Sequence, residues 1–150
     1  MSNHSKVIKS DHFQWEGVEK KEYKTDTNNF KDIHRYSLLG DEIADLNFQT
    51  RYFEIKPGGF SSLEKHQHPH SVVIIRGSGS VVLDNELHPI KVHDVVFIAP
   101  ETIHQFHADR SEELGFLCVV DRERDRPVIP EDDVILSRIS SKEVLNKIQK

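Results

Sequence analysis

Three histidines lie within five residues of this chain, in the run HQHPH at residues 66–70. Imidazole is the commonest neutral metal ligand, and such a tight cluster is more typical of a metal site than of a solvated surface. A fourth candidate, His104, follows a predicted strand further along the chain. We therefore expect His66, His68, His70 and His104 to bind one divalent metal ion.

Strand geometry limits how these histidines can meet. In an extended strand alternate residues share a face, so His66, His68 and His70 could point the same way. At ~3.3 Å per residue, however, the ends of a straight run of this length lie ~13 Å apart. Each ligating nitrogen must come within ~2.1 Å of the ion. Because Pro69 donates no backbone hydrogen bond and favours a bend, we predict that His66 and His68 end one strand and His70 begins the next.

The same alternation predicts which side chains line a pocket beside the metal. Arg51 either holds an anionic substrate through its guanidinium group or, if the strand register differs by one residue, points to solvent. Cys118 is either a small buried apolar residue or a pocket thiol near the metal. Glu64 is either a general base or a salt-bridged residue at the rim. The predicted lining comprises Arg51, Phe53, Val72, Phe106, Phe116 and Cys118. The remaining histidines are interpreted as surface residues or as neighbours of the ligands: His4, His12, His34, His88, His93 and His107.

Short β-favouring runs separated by turn residues dominate the central part of the chain. Breaks such as Pro57-Gly58-Gly59 divide these runs. With no convincing helix between them, they predict an all-β antiparallel sandwich or barrel over residues 30–126. The predicted strands are Ile33–Leu39, Asn47–Ile55, Val72–Ile75, Ser80–Leu83, Val95–Ile98, His104–His107 and Leu114–Val120.

The two ends differ in composition from this central region. Residues 1–29 are polar and lysine-rich, with isolated apolar anchors at Phe13, Trp15 and Val18. They predict an N-terminal arm that drapes over the domain or a partner subunit, or else a partly disordered leader. Residues 127–150 predict a C-terminal tail. Its sequence Ser140-Ser141-Lys142-Glu143 has the form of a capping box, which predicts one short helix.

Composition argues against several classes of protein. A chain of 150 residues with 36% hydrophobic and 30% charged residues fits one globular domain. It has no stretch long enough to span a bilayer and no secretory signal, so no membrane partner is expected. The single cysteine fits a reducing cytoplasm. A net charge of −5 gives no basic footprint for nucleic acid, and Arg122, Arg124 and Arg126 alternate with acidic residues, which predicts a solvated loop.

The residues around the histidines resemble the two sequence motifs of the cupin superfamily. The resemblance covers about residues 45–120 and implies a double-stranded β-helix, or jelly-roll barrel, of the small single-domain, RmlC-like kind. The chain departs from the family pattern at His70, where cupins usually carry glutamate, and at His93 and Glu101, where glycines are usual. The loop between His68 and His70 is also shorter than the family norm. The first motif comprises Gly59, His66, His68, His70 and Gly77, and the second comprises Pro100, His104 and Phe106.

The resemblance implies one bound divalent transition metal. Four neutral imidazoles would leave the +2 charge of the ion uncompensated, so the site would favour anionic oxygen ligands. A ligand set of nitrogens alone suits Fe, Mn, Ni, Zn or Cu with little discrimination.

Three functions stay open on this resemblance. The leading hypothesis is a metal-dependent oxidoreductase of the dioxygenase type that acts on a small organic anion. The alternatives are a metal-dependent isomerase or lyase that uses no O2, and a non-catalytic module that binds or senses a metabolite. The resemblance also implies a homodimer, for which an exposed barrel edge near Phe13 and Trp15 would be available.

Overall fold

The computed structural model of the protein describes residues 4–22 and 30–150. Eleven strands and two short helices follow one another in this part of the chain. Every strand pairing is antiparallel, and the predicted all-β fold is confirmed. The elements are β1 Ser10–Asp11, β2 Gln14–Trp15, β3 Lys21–Glu22, β4 Lys31–Leu39, β5 Phe48–Phe60, β6 His70–Arg76, β7 Ser78–Leu83, β8 Glu86–Lys91, β9 Val95–Ile98, β10 His104–Ala108, β11 Leu114–Asp121, α1 Asp132–Arg138 and α2 Lys142–Lys147.

The long strand β5 is the centre of a curled antiparallel sheet of nine strands. The strand order is β8-β7-β10-β5-β11-β6-β9, and β4 pairs with β5 and carries β3 on its other edge. Strand β5 pairs with β11 over Phe48–Ile55 and meets β10 near its end, where Phe60 lies opposite His107. The starts of β6 and β10 come together at one end of the barrel, where the ring centroids of His70 and His104 lie 5.7 Å apart.

The interior of the barrel is apolar because each strand alternates its side chains. Val72 and Ile74 of β6 are fully buried, as the alternation from His70 predicts. Phe106 and Phe116 stack with ring centroids 4.4 Å apart. Burying each large side chain of this kind stabilises the fold by about 1.5–3 kcal/mol. The core is therefore a rigid wall against which a site at the barrel mouth can be built.

The C-terminal tail forms two helices, where the sequence predicted one. Their apolar residues Ile135, Ile139 and Val144 pack on Leu63 and Ile103 in a second buried cluster on the outside of the barrel. In helix α2 the N-cap is Ser141, whose side chain accepts a hydrogen bond from Val144 N at 3.3 Å, and not Ser140, the first residue of the predicted capping box. Helix α1 was missed because Glu131, at its N-cap, makes no side-chain capping bond. Neither helix in the described residues has the length and apolar character needed to cross a membrane.

The N-terminal arm packs against the outer face of β4 and β5. Trp15 lies 4.9 Å from Tyr52 between ring centroids, and Phe13 lies 6.0 Å from the same ring. Tyr52 has no exposed surface. The predicted apolar anchors Phe13 and Trp15 therefore pack against the barrel of their own chain. The predicted arm residues 1–3 and 23–29 lie outside the described residues.

Three local predictions about strands were wrong. Strand β5 does not end at Ile55 but continues to Phe60, with Gly58 at a φ of 76° accommodating the irregularity. Strand β8 was missed because Pro89 lies within it, although its two neighbours complete the pairing with β7. His66 and His68 do not end a strand. They lie in the loop after β5, where only isolated bridges occur, whereas His70 does begin β6.

Left-handed backbone occurs at two positions where the family pattern has glycine. His93 has a φ of 78° and Glu101 a φ of 64°. A residue with a Cβ is strained in this region, at a cost of roughly 1–2 kcal/mol. Gly77, which the first motif retains, has a φ of 68°, and a Cβ there would collide with the carbonyl oxygen of Glu113.

Candidate metal centre

Three of the four predicted ligands meet at the mouth of the barrel. One nitrogen each of His66, His70 and His104 lies within 4.8 Å of the others, and all three residues belong to the buried part of the site. His70 begins β6, His104 begins β10, and His66 comes from the loop between β5 and β6. This buried histidine triad can hold a metal ion.

Backbone hydrogen bonds hold the loop that carries His66. Glu64 and His104 exchange both main-chain bonds, at 3.1 and 3.0 Å, so the loop runs antiparallel to the start of β10. The amide of Glu101 donates to the carbonyl oxygen of His66 at 2.7 Å. These contacts bring residues far apart in sequence into the small volume that a metal requires.

The hydrogen bonds of the imidazoles leave their Nε2 atoms directed at the site. His66 Nδ1 lies 2.7 Å from the carbonyl oxygen of His68, and His104 Nδ1 lies 2.9 Å from that of Thr102. Since a carbonyl can only accept, both Nδ1 atoms carry the proton and both Nε2 atoms present a lone pair. The Nε2 atoms of His66 and His70 are buried and have no hydrogen-bond partner among the described residues. Buried polar atoms of this kind normally have a partner, so the donor set fits a metal.

Burial keeps these imidazoles neutral. It is the main cause that lowers the pKa of His66 from 6.5 to about 4. Burial likewise lowers the pKa of His70 and of His104, and the neighbouring imidazoles act in the same direction. A metal binds the neutral form of histidine, so no proton has to be displaced at neutral pH.

His68 lies beside the triad and is not one of its three members. Its ring stacks on that of His66, with centroids 3.8 Å apart and an interplanar angle of 7°. Its Nδ1 donates to Asp125 Oδ1 at 2.8 Å. Hydrogen bonds from the Gln67 amide and the His68 side chain hold the pKa of Asp125 far below its ordinary value. A carboxylate bound to Nδ1 is the common support of a metal-binding histidine, so the assignment of His68 as a ligand stays a prediction.

A small cavity of about 30 Å³ adjoins the histidines. Glu64 lies on its wall, where its Oε2 accepts a hydrogen bond of 2.7 Å from Ser62 and its Oε1 lies 3.9 Å from His104 Nε2. Cys118 is buried, with Sγ 3.5 Å from His70 Nδ1, and burial raises the pKa of its thiol. The cavity is lined by Ile33, Phe53, Ser61, Glu64, His70, His104, Phe106, Phe116 and Cys118.

The pocket residues predicted from strand alternation fall into two groups. Phe53, Phe106, Phe116 and Cys118 line the cavity. Val72 is buried in the same core without lining it. Arg51 does not line the cavity. It is 8% exposed, and its Nη2 lies 3.5 Å from Cys118 Sγ.

Two residues near the site differ from their predicted surroundings. His107 was interpreted as a surface residue or a neighbour of the ligands, yet it is 5% exposed because both faces of β10 are covered. Asp125 belongs to a stretch of alternating charges that predicted a solvated loop, but its carboxylate binds the Gln67 and His68 amides at 2.8 and 3.0 Å. No signal in the sequence distinguishes Asp125 from Asp121, because both alternate with arginines.

An antiparallel jelly-roll barrel with histidines converging at its mouth defines a class of small metal-binding β-barrels. The family model described as a cupin domain matches residues 51–120, which contain all four predicted ligands. This chain belongs to the cupin superfamily.

Individual relatives and solved structures are also similar to this chain. The chain is 38% identical over 128 residues to the 1-methylthio-D-xylulose 5-phosphate methylsulfurylase of Rhodospirillum rubrum, a match that covers 84% of this chain and 81% of the relative. A crystal structure of a cupin 2 conserved barrel domain protein from Rhodopseudomonas palustris has a TM-score of 0.87 at 38% identity and covers 97% and 100% of the two chains. A cupin-2 domain of Rhodospirillum rubrum has a TM-score of 0.78 at 35% identity, with 87% of each chain covered.

Proposed function

We propose that the protein is a metal-dependent enzyme of the methylsulfurylase type, acting on a phosphorylated 2-ketose that carries a methylthio group on C1. The observation that carries this proposal is the 38% identity, over 84% of the chain, to the relative named for such a substrate. The buried histidine triad supports it, because it offers a metal site beside a wall of aromatic rings.

His66, His70 and His104 would hold the ion, with His68 as the predicted fourth ligand. A divalent transition metal at this point would act as a Lewis acid on the ketone oxygen of the substrate. Its identity stays open among Fe, Mn, Ni, Zn and Cu, because a ligand set of nitrogens alone discriminates poorly.

The reaction requires a proton as well as a polarised carbonyl. When the sulfur passes to a thiol acceptor as a new S–S bond, the electron pair of the C1–S bond stays with C1 and delocalises into the neighbouring carbonyl. C1 must then receive a proton. We assign Glu64 to hold and deliver it, because its carboxylate lines the cavity and the Ser62 hydroxyl fixes one of its oxygens at 2.7 Å.

Aromatic side chains keep water away from this chemistry. Phe116 stacks between Phe53 and Phe106, with centroid distances of 5.5 and 4.4 Å. All three rings are at most 5% exposed. A dry wall strengthens electrostatic interactions at the reacting atoms and suppresses side reactions with solvent.

The test is release of the methylthio group from 1-methylthio-D-xylulose 5-phosphate by the metal-loaded protein in the presence of a thiol, followed by mass spectrometry. We expect turnover in air and under argon alike, its loss in His70→Ala, and a decrease of about 10²- to 10⁴-fold in Glu64→Gln. His88→Ala, which removes an imidazole outside the cavity, is the matched control. Absence of methylthio release from the metal-loaded protein would overturn the proposal.

The dioxygenase-type reaction predicted from the sequence is the second candidate, and a site of neutral nitrogen donors favours it because O2 and an anionic oxygen donor could both bind there. None of the relatives described above is named as a dioxygenase. Oxygen consumption with a small organic anion, absent under argon, would support this candidate. An isomerase or lyase reaction would neither consume oxygen nor release a methylthio group. The same holds for a binding role without turnover.

A further inference from the structure

A broad cleft of about 1030 Å³ lies beside the barrel mouth, between the N-terminal arm and the ends of β4 and β5. The segment after β11 closes it on one side. Seven basic and five acidic residues line the cleft, which gives it a formal charge of +2 although the whole chain carries −5. The basic residues are Lys6, Lys21, Arg35, Arg51, Arg122, Arg124 and Arg126, and the acidic ones are Glu16, Glu19, Asp41, Glu42 and Asp125.

Three of the five acidic side chains have partners of their own. Asp41 accepts a hydrogen bond of 2.9 Å from Gln49 and lies 3.7 Å from Arg122 Nε. Glu42 accepts from the Gly40 amide at 3.1 Å. Asp125 is bound to the loop that carries His68. Hydrogen bonds to groups other than the cleft arginines thus engage the carboxylates of Glu42 and Asp125.

Arg51 is the residue whose surroundings most strongly indicate a ligand. It is 8% exposed, and its Nε has no hydrogen-bond partner within residues 4–22 and 30–150. Its guanidinium group lies 5.0 Å from the ring centroid of Phe53, and its Nη2 contacts the weakly accepting Sγ of Cys118 at 3.5 Å. Burying a charged group without a partner is strongly unfavourable, so a guanidinium in this position calls for an anion.

Two further arginines lie close to it. In the pairing of β4 with β5, Ser37 is opposite Arg51 and Arg35 is opposite Phe53, so Arg35 shares the face of Arg51. Arg124 binds Gln49 Oε1 at 3.0 Å and the carbonyl oxygen of Asp121 at 2.9 Å, which are neutral acceptors. Partial desolvation, together with the positive charges of Arg51 and Arg35, lowers the pKa of Arg124. The three guanidinium groups thus form one like-charged cluster.

We propose that Arg35, Arg51 and Arg124 form a subsite for a phosphate monoester, in which the phosphate group of the substrate neutralises the cluster. Guanidinium groups suit this role because their paired N–H donors match two oxygens of a phosphate. The identification of that phosphate with the substrate of the metal site rests on the function proposed above.

The position of Arg51 connects this subsite with the metal centre. Its Nη2 lies 3.5 Å from Cys118 Sγ, which in turn lies 3.5 Å from His70 Nδ1. A phosphate on the cleft side of Arg51 is thus separated from the histidines by a single layer of side chains.

The experiment measures binding of inorganic phosphate to the purified protein by isothermal titration calorimetry, in wild type and in the Arg51→Gln, Arg35→Gln and Arg124→Gln variants. We expect phosphate to bind about 10- to 100-fold more weakly to each variant, as loss of one charge-assisted contact implies. Arg110→Gln, which removes the same charge outside the cleft, is the control and should stay within about 2-fold of wild type. Because Arg51 is buried and its variant could unfold, circular dichroism checks each fold, and the exposed Arg124 gives an independent reading. Phosphate affinity unchanged in Arg124→Gln and in a folded Arg51→Gln overturns the subsite.

Turnover separates this subsite from the proposed function. If the enzyme releases methylthio groups and its KM for the ketose phosphate is unchanged in all three variants, the subsite is wrong and the function stands. If phosphate binding depends on the three arginines and no methylthio group is released, the subsite stands and the function is wrong. If KM rises about 10- to 100-fold while kcat changes little, both are supported.

Discussion

His107 Nε2 lies 2.9 Å from Gln105 Oε1, deep under the C-terminal helices. Because an amide oxygen only accepts, the imidazole carries a proton on Nε2 and donates it to this oxygen. The same glutamine accepts from the Gln149 amide and donates to the carbonyl oxygens of Ser61 and Gln149 at 2.8 and 2.7 Å. This network fastens the end of the chain to β10, the strand that begins with His104.

The network predicts a loss of stability in mild acid. Burial, with a smaller contribution from Lys147 of α2, lowers the pKa of His107 from 6.5 to about 4. Below pH 6.5 this histidine binds a proton in the unfolded chain but not in the folded protein. The free energy of unfolding therefore falls between pH 6.5 and 4, by up to about 3 kcal/mol for this group.

The measurement is chemical denaturation of the metal-free protein at several pH values, in wild type and in His107→Gln. Above pH 6.5 we expect the variant to be less stable than wild type, because the Gln105 network is altered. The difference in unfolding free energy between the two proteins should shrink as the pH approaches 4. If the free energy of unfolding depended on pH equally in the two proteins, the assignment of His107 as a buried neutral imidazole would be contradicted.

A second prediction concerns the left-handed residue His93. Its side chain is exposed and only its backbone takes part in the turn, where its amide donates to Ile74 O at 2.8 Å. Replacing it by glycine removes a strain of roughly 1–2 kcal/mol and adds an entropy cost of roughly 0.5–1 kcal/mol in the unfolded state. We expect His93→Gly to raise the free energy of unfolding by about 0.5–1 kcal/mol. His88→Gly, in strand β8 with ordinary backbone, should lower it, and a loss of stability in both variants would refute the strain argument.

The sequence predicted the barrel well because alternation is a local property of each strand. Four side chains that were predicted to face the interior are buried, namely Val72, Phe106, Phe116 and Cys118. Strand β8 was not predicted because a proline within a run of residues disfavours a strand. Its extended conformation depends on its pairing with β7, which the local sequence does not reveal.

The site itself depends on contacts that no local pattern contains. The sequence pointed to four candidate histidines, and three of them converge. The position of His68 depends on Asp125, which is 57 residues away and belongs to a stretch of alternating charges. The cleft likewise arises because the arm, β5 and the segment after β11 meet in space. Such relations are set by tertiary packing, which single-residue spacing does not encode.

A third prediction concerns association. The homodimer expected from the sequence stays a proposal, and the exposed edge strand β9 is now its best location. Val95 and Phe97 are 70% and 65% exposed there, and in the described strand order β9 pairs only with β6. We expect wild type to sediment as a dimer and Phe97→Glu to sediment as a monomer. Leu136→Glu, which charges an equally exposed apolar residue on α1, is the control, and a wild-type protein at the monomer mass would exclude the dimer.

The fourth prediction separates a three-histidine from a four-histidine metal site. His66→Ala and His104→Ala each remove one of the three nitrogens that lie within 4.8 Å of one another, so both should lose bound metal as measured by elemental analysis. His68→Ala should weaken metal affinity by at least about 10-fold, and Asp125→Asn by about 10- to 100-fold, because the carboxylate orients the His68 ring. His34→Ala, on strand β4, is the control. If His68→Ala and Asp125→Asn bind metal as tightly as wild type while the other two variants do not, His68 only stacks on His66 and the site has three histidine ligands.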